Sequence, residues 1–325
     1  MLYPLKFHPI FKDKIWGGEK IRTILKKDFA PLPNCGESWE ISGYQDNESI
    51  VMNGYLKGKG LNEILNIHKD ELVGQRVFEK YKTEFPLLIK FIDSNDDLSI
   101  QVHPNDELAM QRHNSFGKTE MWYIIHADEN AELISGFNQQ MDKETYLRNF
   151  NNGTLMDILN KEKVFKDDVF FIPAGRIHTL GKGLLLTEIQ QSSDLTYRIY
   201  DFDRTDQFGR KRALHVKDAL DAIDYTYYSE YKTKYTDQID VPVEIVRSLY
   251  FTTNKILLNT RFERDIEILD SFVIYICLEG NGNIQYVGGN TSIKMGDVLL
   301  VPASLKRLTL VPDPNLKLLE TYITV

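Results

Sequence analysis

Three short segments carry side chains suited to holding a metal ion. The first is Leu98-Ser99-Ile100-Gln101-Val102-His103-Pro104. It reads as a strand, on which residues two apart project to one face, so Gln101 and His103 point together. The second begins at Glu120, just before the strand pattern Met121-Trp122-Tyr123-Ile124-Ile125. The third is Pro173-Ala174-Gly175-Arg176-Ile177-His178, where a strand ends in a tight turn that needs glycine's freedom and then delivers His178. Two imidazoles and a carboxylate on neighbouring strands form a borderline-soft N/O donor set. Zn2+, one per chain, is the first choice for it, with the Gln101 oxygen as a candidate fourth ligand and water in the open position. Singly, a histidine beside a proline is usually a turn residue and a glutamate before a strand is usually solvated; the combination is what is specific. His8, His68, His113, His126 and His215 lack such a partner pattern and read as ordinary. Lys118, two residues before Glu120, faces the same side as that ligand on an extended chain.

The elements that must carry these residues are mostly strands. Residues 86–92, 98–102, 121–125, 169–172 and 184–189 are rich in aromatic and β-branched side chains and punctuated by Gly, Pro, Asn and Asp. Helical spacing interrupts them at 61–81, where one or two amphipathic helices are expected, at 142–159 and at 215–223. The tyrosine-rich stretch 224–240 reads as a linker or an extended crossing segment. Beyond it the strands resume. A strand-turn-strand module occurs twice: Asp168-Val169-Phe170-Phe171-Ile172-Pro173-Ala174 aligns with Asp297-Val298-Leu299-Leu300-Val301-Pro302-Ala303. In the second copy Ser271 stands in the place of Glu120 and Arg307 in that of His178, so that copy is expected to be structural and metal-free. Two domains follow, a metal-binding one over 1–235 with helical inserts and a second over 236–325.

Composition narrows the class of function. The chain has 325 residues, 42% hydrophobic and 26% charged, the balance of a globular protein with real cores. Its formal net charge of −8 disfavours nucleic acid, which is bound through many cationic contacts to phosphate. No apolar run is long enough to span a bilayer and the N-terminus lacks a secretion signal, so no membrane is expected and a cytoplasmic location is. Cys35 and Cys277 form no disulfide framework.

The motifs resemble those of one family. Gln101-x-His103-Pro104, Lys118-Thr119-Glu120-Met121-Trp122 and Pro173-Ala174-Gly175-x-x-His178 are similar to the cupin metal motifs of type I phosphomannose isomerases, in their short bacterial form. Ile15-Trp16-Gly17-Gly18, Gly36-Glu37-Ser38-Trp39-Glu40-Ile41-Ser42, Pro86-Leu87-Leu88-Ile89-Lys90-Phe91-Ile92-Asp93 and Ser193-Asp194-Leu195-Thr196-Tyr197-Arg198 extend the similarity, which is strong over the first 215 residues and loose beyond. The resemblance implies a mostly β fold of two cupin-like, jelly-roll barrels, with a few short helices inserted in the first. It implies zinc on His103, Glu120 and His178, with Gln101 at the place of a further ligand. It makes Arg198, Asp194 and Lys118 catalytic candidates, and Lys90, Trp16 and Glu188 substrate contacts.

The implied reaction interconverts mannose 6-phosphate and fructose 6-phosphate, moving a proton between C1 and C2 through a cis-enediol. It requires stabilisation of charge on two sugar oxygens, a base, and an anchor for the phosphate. Asp194, Lys118, Glu188 and a zinc-bound water all stand as candidates for the base. The expected partner is a small sugar phosphate and the expected state a monomer or homodimer. Rival readings are a metal-dependent cupin oxygenase, disfavoured by Gln101 where a further histidine would sit, and a sugar-phosphate-binding cupin without turnover.

Overall fold

The computed structural model describes residues 1–205 and 208–324. The chain is mostly β, arranged in three antiparallel sheets. A six-stranded sheet runs in the order Ile10–Lys12, Glu37–Ser42, Leu87–Ser94, Leu184–Gln191, Glu120–Ala127, Val169–Ile172. A five-stranded sheet runs Tyr197–Tyr200, Ile100–Val102, His178–Leu180, Glu132–Phe137, Leu159–Lys163. Leu87–Ser94 and Leu184–Gln191 are buried on both faces, the polar Lys90, Asp93, Glu188 and Gln190 included. A cluster drawn from both sheets, including Ile92, Trp122, Phe170 and Leu186 from one and Leu133 and Leu180 from the other, packs between them.

Register aligns the chemistry. In the six-stranded sheet Trp39, Lys90, Glu188 and Trp122 are successive cross-strand partners. In the five-stranded sheet Arg198, Gln101 and His178 are. Directly paired residues project to the same face, so each row presents its side chains together. The rows come into contact where the Trp122 ring meets the His178 ring edge-on, with centroids 5.3 Å apart.

The third sheet, of eight strands, is built from the C-terminal part around Val273–Tyr286 and Arg307–Tyr322. The strand at one edge comes from the N-terminal part of the chain: Leu5–Lys6 pairs with Val298–Val301. Val169–Ile172 on Glu120–Ala127 and Val298–Val301 on Val273–Tyr286 are both antiparallel neighbours, as repetition of one module requires. Ser271 is buried, its hydroxyl spent on Phe272 O, and the Arg307 side chain is exposed beside Asp265.

The helical segment at 61–81 forms Leu61–Val73, itself kinked at Lys69, and Gln75–Tyr81. They break at Gly74, whose φ of 92° and closeness to Asp270 O leave no room for a Cβ. Lys143–Asn151 is capped by the Asp142 carboxylate accepting from Thr145 N at 2.7 Å, and Val216–Ala222 follows His215. The stretch 224–240 is an extended crossing segment, held by the buried Tyr231 hydroxyl against Phe137 N and O and by Tyr235 donating to Asp167 O. The helix Asp106–His113, started by Asn105 accepting from Leu108 N, had no apolar periodicity to announce it, since only Ala109 is buried.

Candidate active site

His103 ends the run begun by Ile100–Val102, Glu120 opens the strand Glu120–Ala127, and His178 opens His178–Leu180. All three are buried, and one ligand atom of each lies within 4.8 Å of the others; among the described residues this is the one such group. Each histidine is held by a main-chain carbonyl: His103 Nδ1 is 2.8 Å from Leu195 O and His178 Nδ1 is 2.8 Å from Arg176 O. A carbonyl only accepts, so Nδ1 carries the proton in both rings and Nε2 keeps its lone pair. Those lone pairs face Glu120, at 3.5 Å from Oε2 and 3.6 Å from Oε1. Burial drives His178 down to about 3; burial and then Lys118 drive His103 well below its ordinary value, so both rings are neutral. Burial and Glu188 push Glu120 up, to about 7, and Oε1 is buried without a hydrogen bond. Acceptors converging on an orphaned carboxylate oxygen are what a divalent cation would satisfy. Gln101 lies against the same point, with its amide nitrogen 3.3 Å from His178 Nε2.

Lys118 Nζ is 2.8 Å from Glu120 Oε2, 3.2 Å from His103 Nε2 and 3.8 Å from Glu188 Oε1. Its loop is pinned by Lys118 N donating to Pro104 O and Thr119 N donating to Gln191 Oε1. Gln191 and Gly117 N both donate to Asp106, which also accepts from Tyr250 of the C-terminal part.

A cleft of about 260 Å³ opens beside this group. Every other sequence-predicted site residue lines it: Gln101, Lys118, Arg198, Asp194, Lys90, Glu188 and Trp16. The buried Lys90 lies 3.2 Å from Glu188 Oε1 and 3.9 Å from Asp194 Oδ1. Glu188 Oε2 accepts from Trp122 Nε1 at 3.0 Å, while Oε1 has no hydrogen bond. Burial acts to raise Glu188, but Lys118 and Lys90 outweigh it and hold the carboxyl below its usual range. Arg198 donates to Ser99 Oγ and Ala213 O and sits beside Arg212; no described carboxylate forms an ion pair with it.

The walls also contain Lys14, Glu37, Ser99, Thr196 and Arg212, which the sequence had not singled out. Glu37 accepts from Trp39 Nε1 at 2.7 Å and pairs with Lys14 at 3.1 Å. Burial acts to raise it, but Lys90 and then Lys14 hold it at about 2. Glu37 lies inside the Gly36-Glu37-Ser38-Trp39 block, so the signal was present; Arg212 lies in a polar stretch with none.

Residues 4–121 match the family model of the type I phosphomannose isomerase catalytic domain. Over 311 residues the chain is 36% identical to mannose-6-phosphate isomerase ManA of Bacillus subtilis, covering 93% of this chain and 94% of the relative. The chain belongs to the type I phosphomannose isomerase family. A second phosphomannose isomerase, from Streptococcus mutans, is 35% identical over 307 residues, 94% of each chain. The crystal structure of the mannose 6-phosphate isomerase of Bacillus subtilis superposes with a TM-score of 0.89 at 34% identity, covering 98% of this chain and 99% of that one.

Proposed function

We propose that this family member is a zinc-dependent aldose–ketose isomerase that interconverts D-mannose 6-phosphate and D-fructose 6-phosphate through a cis-enediol. The observation that carries the proposal is the row Arg198–Gln101–His178. Arg198 and His178 are two strand spacings apart, about 10 Å. An open-chain hexose phosphate spans about 8 Å from phosphorus to C1, at ~1.2 Å per bond along an extended chain. A phosphate held by the guanidinium therefore leaves C1 and C2 near the histidine end of the cleft. Arg198, planar, permanently charged and without an ion-paired carboxylate among the described residues, suits a phosphate or an enediolate oxygen.

His103, Glu120 and His178 would hold the ion, joined by Gln101 if its amide turns its oxygen inward. Bound there, zinc supplies Lewis-acid polarisation of the sugar carbonyl and its neighbouring hydroxyl. Glu188 is held ionised by Lys118 and Lys90 and lines the cleft, so it is the group assigned to take the carbon-bound proton. Lys118, between Glu188 and Glu120, steadies negative charge on the sugar oxygens. Asp194, half exposed at the mouth, and Lys90 orient the sugar hydroxyls, with Trp16 as one wall of the cleft.

We assign residues 1–235 to the catalytic part and 236–325 to a metal-free supporting part that carries on its edge the strand Leu5–Lys6. No helix among the described residues is long and apolar enough to cross a membrane, and Cys35 and Cys277 are free thiols. Both support a cytosolic enzyme, monomeric or homodimeric, acting on a small sugar phosphate. The test is to supply mannose 6-phosphate to zinc-analysed protein and follow fructose 6-phosphate. Protein carrying one zinc per chain that forms none would overturn the assignment.

A further inference from the structure

Arg198 is gripped at three points by one short segment. Its main-chain N–H donates to His215 Nδ1 at 3.1 Å, its main-chain carbonyl accepts from His215 N at 2.7 Å, and its guanidinium NH1 donates to Ala213 O at 3.0 Å. The first contact fixes the state of the imidazole. A main-chain N–H only donates, so Nδ1 must be bare and the ring proton must sit on Nε2. The ring also leans on the Tyr197 ring, the residue before Arg198, with centroids 6.4 Å apart.

Nothing else in the segment explains a histidine there. His215 occupies the position before the helix Val216–Ala222, yet its side chain makes no capping hydrogen bond. A capping position would favour Asn, Asp, Ser or Thr. The ring is turned instead toward the strand Tyr197–Tyr200. Among the described residues that strand pairs only with Ile100–Val102, so on its other side the main chain of Arg198 has no described strand partner, and His215 supplies one. A guanidinium at the end of a long side chain inherits any shift in its own backbone, and displacements of about 1 Å in a binding group can cost on the order of a hundredfold in rate.

We propose that His215 is a positioning residue, acting through Nδ1 to fix the backbone of Arg198 and thereby the place where the cleft holds the phosphate. This rests on the assignment of Arg198 to an anionic group of the substrate.

Two substitutions separate the acceptor from the ring. His215→Phe keeps the ring and removes the acceptor; His215→Asn removes the ring and keeps an oxygen near the place of Nδ1, at a position where Asn is well suited to start the helix. Each variant is measured for zinc content, for kcat/KM with mannose 6-phosphate, and for binding of inorganic phosphate by calorimetry, which needs no turnover. The expected result is unchanged zinc in both. His215→Phe should lose at least tenfold in kcat/KM and bind phosphate at least fivefold more weakly, whereas His215→Asn should stay within threefold of the wild type on both counts. Should His215→Phe not fold, His215→Ala takes its place in the comparison. An acceptor-free variant within twofold of the wild type overturns the proposal. So does an Asn variant as impaired as the Phe one, which would trace the loss to ring packing. A wild type that binds phosphate but makes no fructose 6-phosphate refutes the isomerase assignment alone, because the phosphate comparison still tests His215.

Discussion

Lys90→Met is the substitution whose cost the site's electrostatics define best. Lys90 is 3% exposed, fills a space a methionine also fills, and is the leading reason that Glu37 sits at about 2 rather than near its ordinary 4.5. A carboxyl depressed by about 2.5 pH units stabilises the folded state by about 3.5 kcal/mol at neutral pH, at ~1.4 kcal/mol per unit. The sign is that of a lowered acid: the contribution is fully present above pH 4.5 and lost as the pH falls toward 2. With Lys90 gone, Lys14, the more distant Lys12 and the Trp39 N–H still face Glu37, but the largest opposing charge is lost, burial weighs more, and most of that stabilisation disappears. Glu188 loses a cation as well, which acts in the same direction. Urea unfolding of zinc-free protein should therefore place Lys90→Met about 3 kcal/mol below the wild type at pH 7. At pH 3, where the wild type has itself surrendered part of the term, the gap should narrow to about 1–2 kcal/mol. A gap below 1 kcal/mol at pH 7, or one of the same size at both pH values, would show that Lys90 is not what holds Glu37 ionised.

Three further outcomes are expected. His103→Ala and His178→Ala should each lose bound metal and activity together, and wild-type protein should bind one zinc by elemental analysis; two per chain would revive a second site in the C-terminal part. Arg198→Ala should retain zinc and lose at least a hundredfold in kcat/KM, so substantial turnover in that variant contradicts its role. Tyr250→Phe removes one of three donors to Asp106 and should lower stability by about 1–2 kcal/mol. An unchanged urea midpoint would count against that carboxylate as an anchor for the Lys118 loop.

The three residues that the fold brings together were legible because each sits at a strand end with a local mark: His103 before Pro104, Glu120 ahead of an apolar run, His178 after Pro173-Ala174-Gly175. The strands at 169–172 and 184–189 and the helices at 61–81 were legible for the same reason, since local period and punctuation determine them. Lys14, Arg212 and His215 were not. Their roles come from which strand lies beside which, and register between segments far apart in sequence leaves no local mark. His215 read as ordinary because its partner is a main-chain amide, which every residue possesses. The helix Asp106–His113 escaped because a helix with one buried residue has no stripe to detect.

The pairing of Leu5 with Leu300 also sets a timetable. During synthesis the first strand emerges nearly 300 residues ahead of its partner, and at ~5–20 residues per second it waits some 15–60 s before the sheet can be completed. Through that interval the head of the chain is an unmatched edge, the kind of surface that invites wrong pairing and that chaperones shield. A ribosome stalled short of residue 298 would release a product in which His103, Glu120 and His178 are all present but Leu5–Lys6 has never met its partner strand.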